Sequence, residues 1–236
     1  EALDTWAQLL QTNPRSEFAP KVLLRLAHHQ VDIERKPETA LPLLDRLRGE
    51  YIKSPEAADG LLLRGILLAR QARRPADLKD AVADFNRVLD LFPDAEACAE
   101  ARLQLGRAWR DQGQWGRALP QFIDAFRLHT GSAAAPRAML EAATTMDLLG
   151  DLPGCLRMLQ RLRNEHPQAP EALEAAWRTA VLVKHRIQKP PLRSEGPWPA
   201  GRTKWLKTPT LLALAADGDL LIYQQDLDRL YRLHGT

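Results

Sequence analysis

His28 and His29 are the first residues along the chain whose type could hold a metal or carry a proton. Neighbours on a helix point roughly 100° apart, so the two imidazoles fall on different faces and do not share an ion. His129, His166, His185 and His234 stand at turns or element ends, and none belongs to an HxxxH pattern. Cys98 and Cys155 lie far apart without a CxxC neighbour, which points to small buried side chains rather than a zinc site or a disulfide framework. Asp217-Gly218-Asp219 offers carboxylates, yet the spacing of a calcium-binding loop is missing and Asp-Gly is a turn dipeptide. There is no Gly-rich phosphate loop, no Gly-x-Ser-x-Gly elbow and no conspicuous carboxylate pair. The sequence therefore predicts no catalytic residue, no metal ligand and no cofactor. What remains is recognition chemistry, carried by arginine and tryptophan.

The elements that must position these residues are helical. Apolar residues make up 45% of the chain, enough for a continuous core, and Ala, Leu and Arg, which are strong helix formers, dominate. A net charge of +3 over 236 residues, with Arg interleaved among Asp and Glu, reads as a mixed solvated surface and not as a nucleic-acid stripe. No apolar run approaches the roughly 20 residues needed to span a bilayer.

Self-similarity gives the organisation. Around Gly106 the chain places Leu105, Trp109, Gly113, Trp115, Ala118 and Phe122. Gly106 and Ala118 suit two antiparallel helices in close approach, with Leu105, Trp109 and Phe122 filling the space around them, and Gly113 suits the left-handed end of the first helix. The small residue of the first helix recurs as Ala27, Gly65, Gly106, Ala143 and Ala180, at intervals of 37 to 41 residues. That of the second helix recurs as Ala40, Ala81, Ala118 and Cys155, each followed four residues later by Leu44, Phe85, Phe122 or Leu159. Pro14, Pro55, Pro93, Gly131 and Pro167 punctuate the units. The spacing predicts a second-type helix over 2–12, four hairpins, and a lone first-type helix from about Glu171 to Ile187. Leu3, Trp6 and Leu10 are expected to be exposed at an open N-terminal end.

This pattern resembles the tetratricopeptide repeat, a roughly 34-residue helix–turn–helix unit. The resemblance implies an all-α, right-handed superhelix of hairpins over 1–187, acting as a non-catalytic scaffold that binds a protein or peptide in a concave groove. First helices line that groove, which places Arg70, Leu103, Arg107, Arg110, Leu140 and Trp177 in it. Leu24, His28, Leu62 and Ile66 replace the Lys and Asn of the family's chaperone-type carboxylate clamp, so chaperone tails are not the expected ligand. Junctions such as Phe92-Pro93-Asp94-Ala95 and His166-Pro167-Gln168-Ala169 are similar to those of bacterial envelope proteins of this family. They favour a larger bacterial assembly and the periplasm over the cytoplasm.

The tail differs in composition. Pro190, Pro191, Pro197, Pro199 and Pro209, with Trp198 and Trp205, mark 188–209 as a Pro-rich linker expected to pack on the helices; a free linker is the alternative. From Thr210 the period becomes strand-like, and the turn Asp217-Gly218 predicts a small β-hairpin over 210–236. With Asp228-Arg229-Leu230-Tyr231, this stretch resembles one blade of an NHL-type β-propeller. Either more blades follow Thr236, making the helices the positioning arm of a multidomain sensor or enzyme, or the hairpin docks on the helices. Self-association through the N-terminal end or this hairpin is a third expectation.

Overall fold

The computed structural model describes residues 2–187 and, beyond them, the backbone of 192–193, 211–214, 220–224 and 229–235. Among the described residues ten α-helices run in order: α1 Ala2–Thr12, α2 Ala19–Asp32, α3 Pro37–Glu50, α4 Glu56–Gln71, α5 Lys79–Leu91, α6 Ala97–Asp111, α7 Trp115–Leu128, α8 Ala135–Leu148, α9 Leu152–Glu165 and α10 Pro170–Leu182. A turn of π-helix, Val183–Ile187, continues α10, and a short 3-10 turn, Pro75–Leu78, precedes α5. The chain divides into two compact units, Glu1–Met158 and Leu159–Thr236.

Local chemistry sets the helix ends. Pro20, Pro37, Pro136 and Pro170 occupy the first turns of α2, α3, α8 and α10, where the missing N–H has no intrahelical partner to lose. Before α2 and α8 the hydroxyls of Ser16 and Ser132 accept hydrogen bonds from the backbone N–H of Phe18 and Ala134, at 3.3 and 3.1 Å. Asp151 Oδ1 accepts from Gly154 N at 2.8 Å and so satisfies a free donor at the start of α9.

Within the first unit, α2 pairs with α3, α4 with α5 and α6 with α7, while first helices also touch each other, α2 against α4, α4 against α6 and α6 against α8. This stacking buries the repeated small residues: Ala27, Ala40, Ala81, Ala118 and Ala143 are 0% exposed. Phe85 and Phe122 are equally enclosed, each ring lying directly over Gly65 or Gly106. Cys98 and Cys155 are both buried thiols. Burial pushes the Cys98 thiol above its ordinary pKa, and its Sγ lies 3.0 Å from the carbonyl oxygen of Phe92.

Two expectations at the N-terminal end need correction. Leu10 is buried, packed with Ala19, Val22, Leu23 and Leu47, because α1 docks on α2 as a second helix would. Trp6 is half-buried against the same cluster, with the Arg25 guanidinium 5.8 Å from its ring centroid. The side chain of Leu3 lies outside the described residues.

In the second unit Leu159, Leu162 and Ala175 are fully buried, while Leu173 on α10 is 79% exposed. Four backbone strands are described, β1 Leu192–Arg193, β2 Leu211–Leu214, β3 Leu220–Gln224 and β4 Arg229–Gly235, in the order β1-β4-β3-β2. All neighbours are antiparallel, with Leu211 opposite Tyr223 and Ile222 opposite Tyr231. The Asp217-Gly218 dipeptide, Trp198, Trp205 and all of the Pro-rich stretch except Leu192–Arg193 lie outside the described residues, as does the connection that a propeller blade would need.

One hairpin turn is strained. Gly113 (φ 72°) and Gly150 (φ 82°) close α6 and α8 in the left-handed conformation, but Arg35 (φ 58°) has that role after α2. Replacing Arg35 with glycine removes the Cβ–carbonyl clash and should stabilise the chain by about 0.5–1 kcal/mol, after allowing for the freer unfolded chain. Urea denaturation will report this as a higher midpoint with an unchanged slope; an unchanged or lower midpoint would show the Arg35 backbone to be relaxed.

Candidate functional site

The face built by the first helices α2, α4, α6 and α8 carries a row of half-buried apolar side chains, Leu24, Leu62, Ile66 and Leu140. Arg70 is exposed in the last turn of α4. Leu103, expected in the same row, is instead fully buried. It lies on α6 between Glu100 and Arg107, and both of those side chains reach across to α8 above and below it.

Those cross-links define the site's electrostatics. Arg137 of α8 donates from Nη2 to Glu100 Oε2 at 2.7 Å and from Nη1 to Glu100 Oε1 at 3.4 Å. Arg107 Nε donates to Glu141 Oε1 at 2.8 Å, and Arg110 Nη1 donates to Glu141 Oε2. Arg110 also donates to Asp111 Oδ1, from Nη2 at 3.2 Å and Nε at 3.3 Å. The two arginines expected to wait for a ligand are thus engaged within the molecule, on a carboxylate that the sequence reading did not single out. The sequence of one repeat carries no signal for this pairing, because it depends on how α8 lies against α6. Trp177 is 39% exposed on α10, in the second unit.

Farther along the same face, burial raises the pKa of Asp59, with Glu96 and Glu56 adding to the rise and His28 opposing it. His28 Nδ1 lies 3.6 Å from Asp32 Oδ2. Among the described residues no group of three or more His, Cys, Asp or Glu side chains is placed to hold a metal ion.

A second polar cluster, also missed from sequence, sits inside the first unit. Asp84 of α5 is 0% exposed and accepts from Arg64 Nη1 of α4, while Arg64 Nε donates to Asp45 Oδ1 of α3 at 2.6 Å. Arg48 Nε stands 3.5 Å from Asp84 Oδ1, an atom without a hydrogen bond among the described residues. Burial pushes the Asp84 carboxyl above the ordinary carboxylate range, against the pull of Arg64. Burial also works against the Arg64 charge, but its hydrogen bonds to Asp84 and Asp45 prevail and raise its pKa.

The helical pairing, the small residues at its contacts and the first-helix stacking invite comparison with known repeats. Residues 137–169 match the tetratricopeptide repeat. The fold is that of tetratricopeptide-repeat proteins. A thermophilic protein of this type from Thermus thermophilus is 20% identical, with a TM-score of 0.53 over 77% of this chain and 89% of that one. PilW, described as a widely conserved type IV pilus biogenesis factor, is 19% identical, with a TM-score of 0.57 over 74% of each chain. YrrB, described as having an unusual peptide-binding site, is 20% identical, with a TM-score of 0.56 over 74% of this chain and 81% of that one. No curated protein matches the chain by sequence. Among the described residues no helix is long and apolar enough to cross a membrane.

Proposed function

We propose that the chain is a non-catalytic scaffold that holds a protein or peptide partner on its first-helix face, within a larger bacterial assembly. The observation that carries this reading is the apolar row Leu24, Leu62, Ile66 and Leu140, left half-exposed along the stacked first helices while their neighbours Leu23, Leu61, Leu67 and Met139 are closed. Arg70, about one turn beyond Ile66 on α4, borders the row. Partly open apolar side chains flanked by arginine are the composition that anchors a bound segment. The peptide-binding site in the description of YrrB and the pilus biogenesis role in that of PilW agree with such a use of this fold. A second reading rests on the antiparallel strands 211–214, 220–224 and 229–235, which suit helices that serve as the positioning arm of a β-rich domain.

Site-specific photo-crosslinking separates the first-helix face from the rest of the surface. A crosslinker at Ile66 or Leu140 should capture one common protein, and one at Arg127, exposed on α7, should not. Leu62→Glu should reduce the capture at least about tenfold, the effect of burying a charge in an apolar contact. Equal capture from Arg127, or capture indifferent to Leu62→Glu, would move the binding surface elsewhere.

A further inference from the structure

Three cations and two carboxylates span α6 and α8, and they are not paired evenly. Glu100 and Arg137 form an ordinary cross-link, one guanidinium end-on to one carboxylate through Nη1 and Nη2. Glu141 is different. Each of its oxygens is taken by a different arginine, Oε1 by Arg107 and Oε2 by Arg110, which lie about one turn apart on α6. The Glu141 side chain is 16% exposed, while Arg107 and Arg110 are 33% and 26% exposed, so the fork that grips it keeps an open side.

We propose that Glu141 is an internal stand-in for a ligand: the fork of Arg107 and Arg110 is a carboxylate-binding site, masked by Glu141 until an acidic peptide displaces it. This inference rests on the reading of the first-helix face as the binding surface, and names the class of peptide that face selects. The geometry already displays a carboxylate bound there, each oxygen accepting one charge-assisted hydrogen bond from a separate guanidinium. Exchanging Glu141 for a peptide carboxylate replaces one charge-assisted set of hydrogen bonds with another, so the exchange itself gains little. A free carboxylate therefore does not open the fork. A peptide whose Asp, Glu or C-terminal carboxylate stands beside apolar side chains does, because those side chains cover Leu140 and Ile66 at the same time. The mask thus converts a general anion site into one that requires both features. Asp111, bonded to Arg110 from the other side, holds that guanidinium in place throughout.

The test uses the full chain and a displayed library of random ten-residue peptides with free C-termini, selected in parallel on wild type and on Glu141→Gln. Glutamine keeps the shape and removes the charge, and matched urea midpoints will confirm that the variant is folded. Peptides from the Glu141→Gln selection should be enriched in Asp and Glu over the wild-type selection. By fluorescence anisotropy they should bind Glu141→Gln on the order of tenfold more tightly than wild type, the factor expected when a competent state populated to about a tenth becomes the main one. Adding Arg107→Gln and Arg110→Gln should abolish that gain. Equal acidic content and equal affinity in the two backgrounds would overturn the mask while leaving the face intact, provided the binding is lost with Leu62→Glu. Binding that survives Leu62→Glu in both backgrounds would overturn the face as well.

Discussion

Replacing Gly106 with alanine is expected to destabilise the chain by about 2 kcal/mol, although alanine is the better helix former. At an exposed helical site the same change gains about 1 kcal/mol. Here a Cβ on residue 106 would meet the Phe122 ring at 2.5 Å from Cε1, 2.7 Å from Cδ1 and 3.0 Å from Cζ. The ring is 0% exposed and has nowhere to move without disturbing the α6–α7 contact. The chain supplies its own control for this argument. Gly65 faces Phe85 in the same way, with Cε1 at 2.5 Å. In the first hairpin, where the small residue is Ala27, the partner is the smaller Leu44, and both are closed in one cluster with Ala40 and Leu67. Glycine thus goes with phenylalanine and alanine with leucine. Gly106→Ala/Phe122→Leu should accordingly be less destabilised than the sum of its two single changes by about 1 kcal/mol or more. Urea denaturation of the four proteins closes the cycle; additive losses would show that the two side chains do not share one volume.

That pairing was half legible in the sequence. The recurrence of Ala27, Gly65, Gly106 and Ala143, and of the large residues four positions after Ala40, Ala81 and Ala118, fixes where the helices are and which faces meet. The reason is physical: a small residue every 37 to 41 positions has little purpose except close helix contact, so the period survives divergence elsewhere. Side chains whose environment depends on two neighbouring units were harder to read. Leu103 has the same register position as Leu62 and Leu140, yet it alone of the three is fully enclosed, because ion pairs from Glu100 and Arg107 to α8 close the surface over it. Arg107 and Arg110 lie on α6, a first helix of its hairpin, but their engagement with Glu141 depends on how α8 lies against α6, which no single repeat encodes. Leu10 was misplaced for the opposite reason: α1 has a neighbour in α2, and its apolar stripe closes on that side.

The Arg64–Asp84 pair shows the same limit and carries the other large prediction. In the remaining second helices the position of Asp84, three residues after the small one, holds Leu43, Gln121 or Met158. In the remaining first helices the position of Arg64 holds Leu26, Leu105, Ala142 or Thr179. A carboxylate and a guanidinium therefore replace uncharged residues at one junction only, the one where α3, α4 and α5 share an ion-pair node. Removing Arg64 leaves Asp84 buried with Arg48 at 3.5 Å as its remaining ion-pair partner among the described residues. Arg64→Met should then cost about 3 kcal/mol at neutral pH, the lower end of the range for an uncompensated buried charge. The loss should also depend on pH in a definite sense. Burial already holds the Asp84 carboxyl above the ordinary range, and loss of Arg64 removes the main opposing influence. A carboxyl whose folded pKa is raised favours the folded state while protonated, and that advantage disappears as pH rises through the raised value. The deficit of Arg64→Met relative to wild type should therefore be small near about pH 4 and grow toward neutrality. Arg64→Met/Asp84→Leu removes both charges and should recover most of the stability, with little of this pH dependence. Urea titrations of the three proteins at acid and neutral pH decide the matter. A deficit that is constant with pH, or a double variant no better than Arg64→Met, would mean that packing of the Arg64 stem, and not the buried charge, holds this junction together.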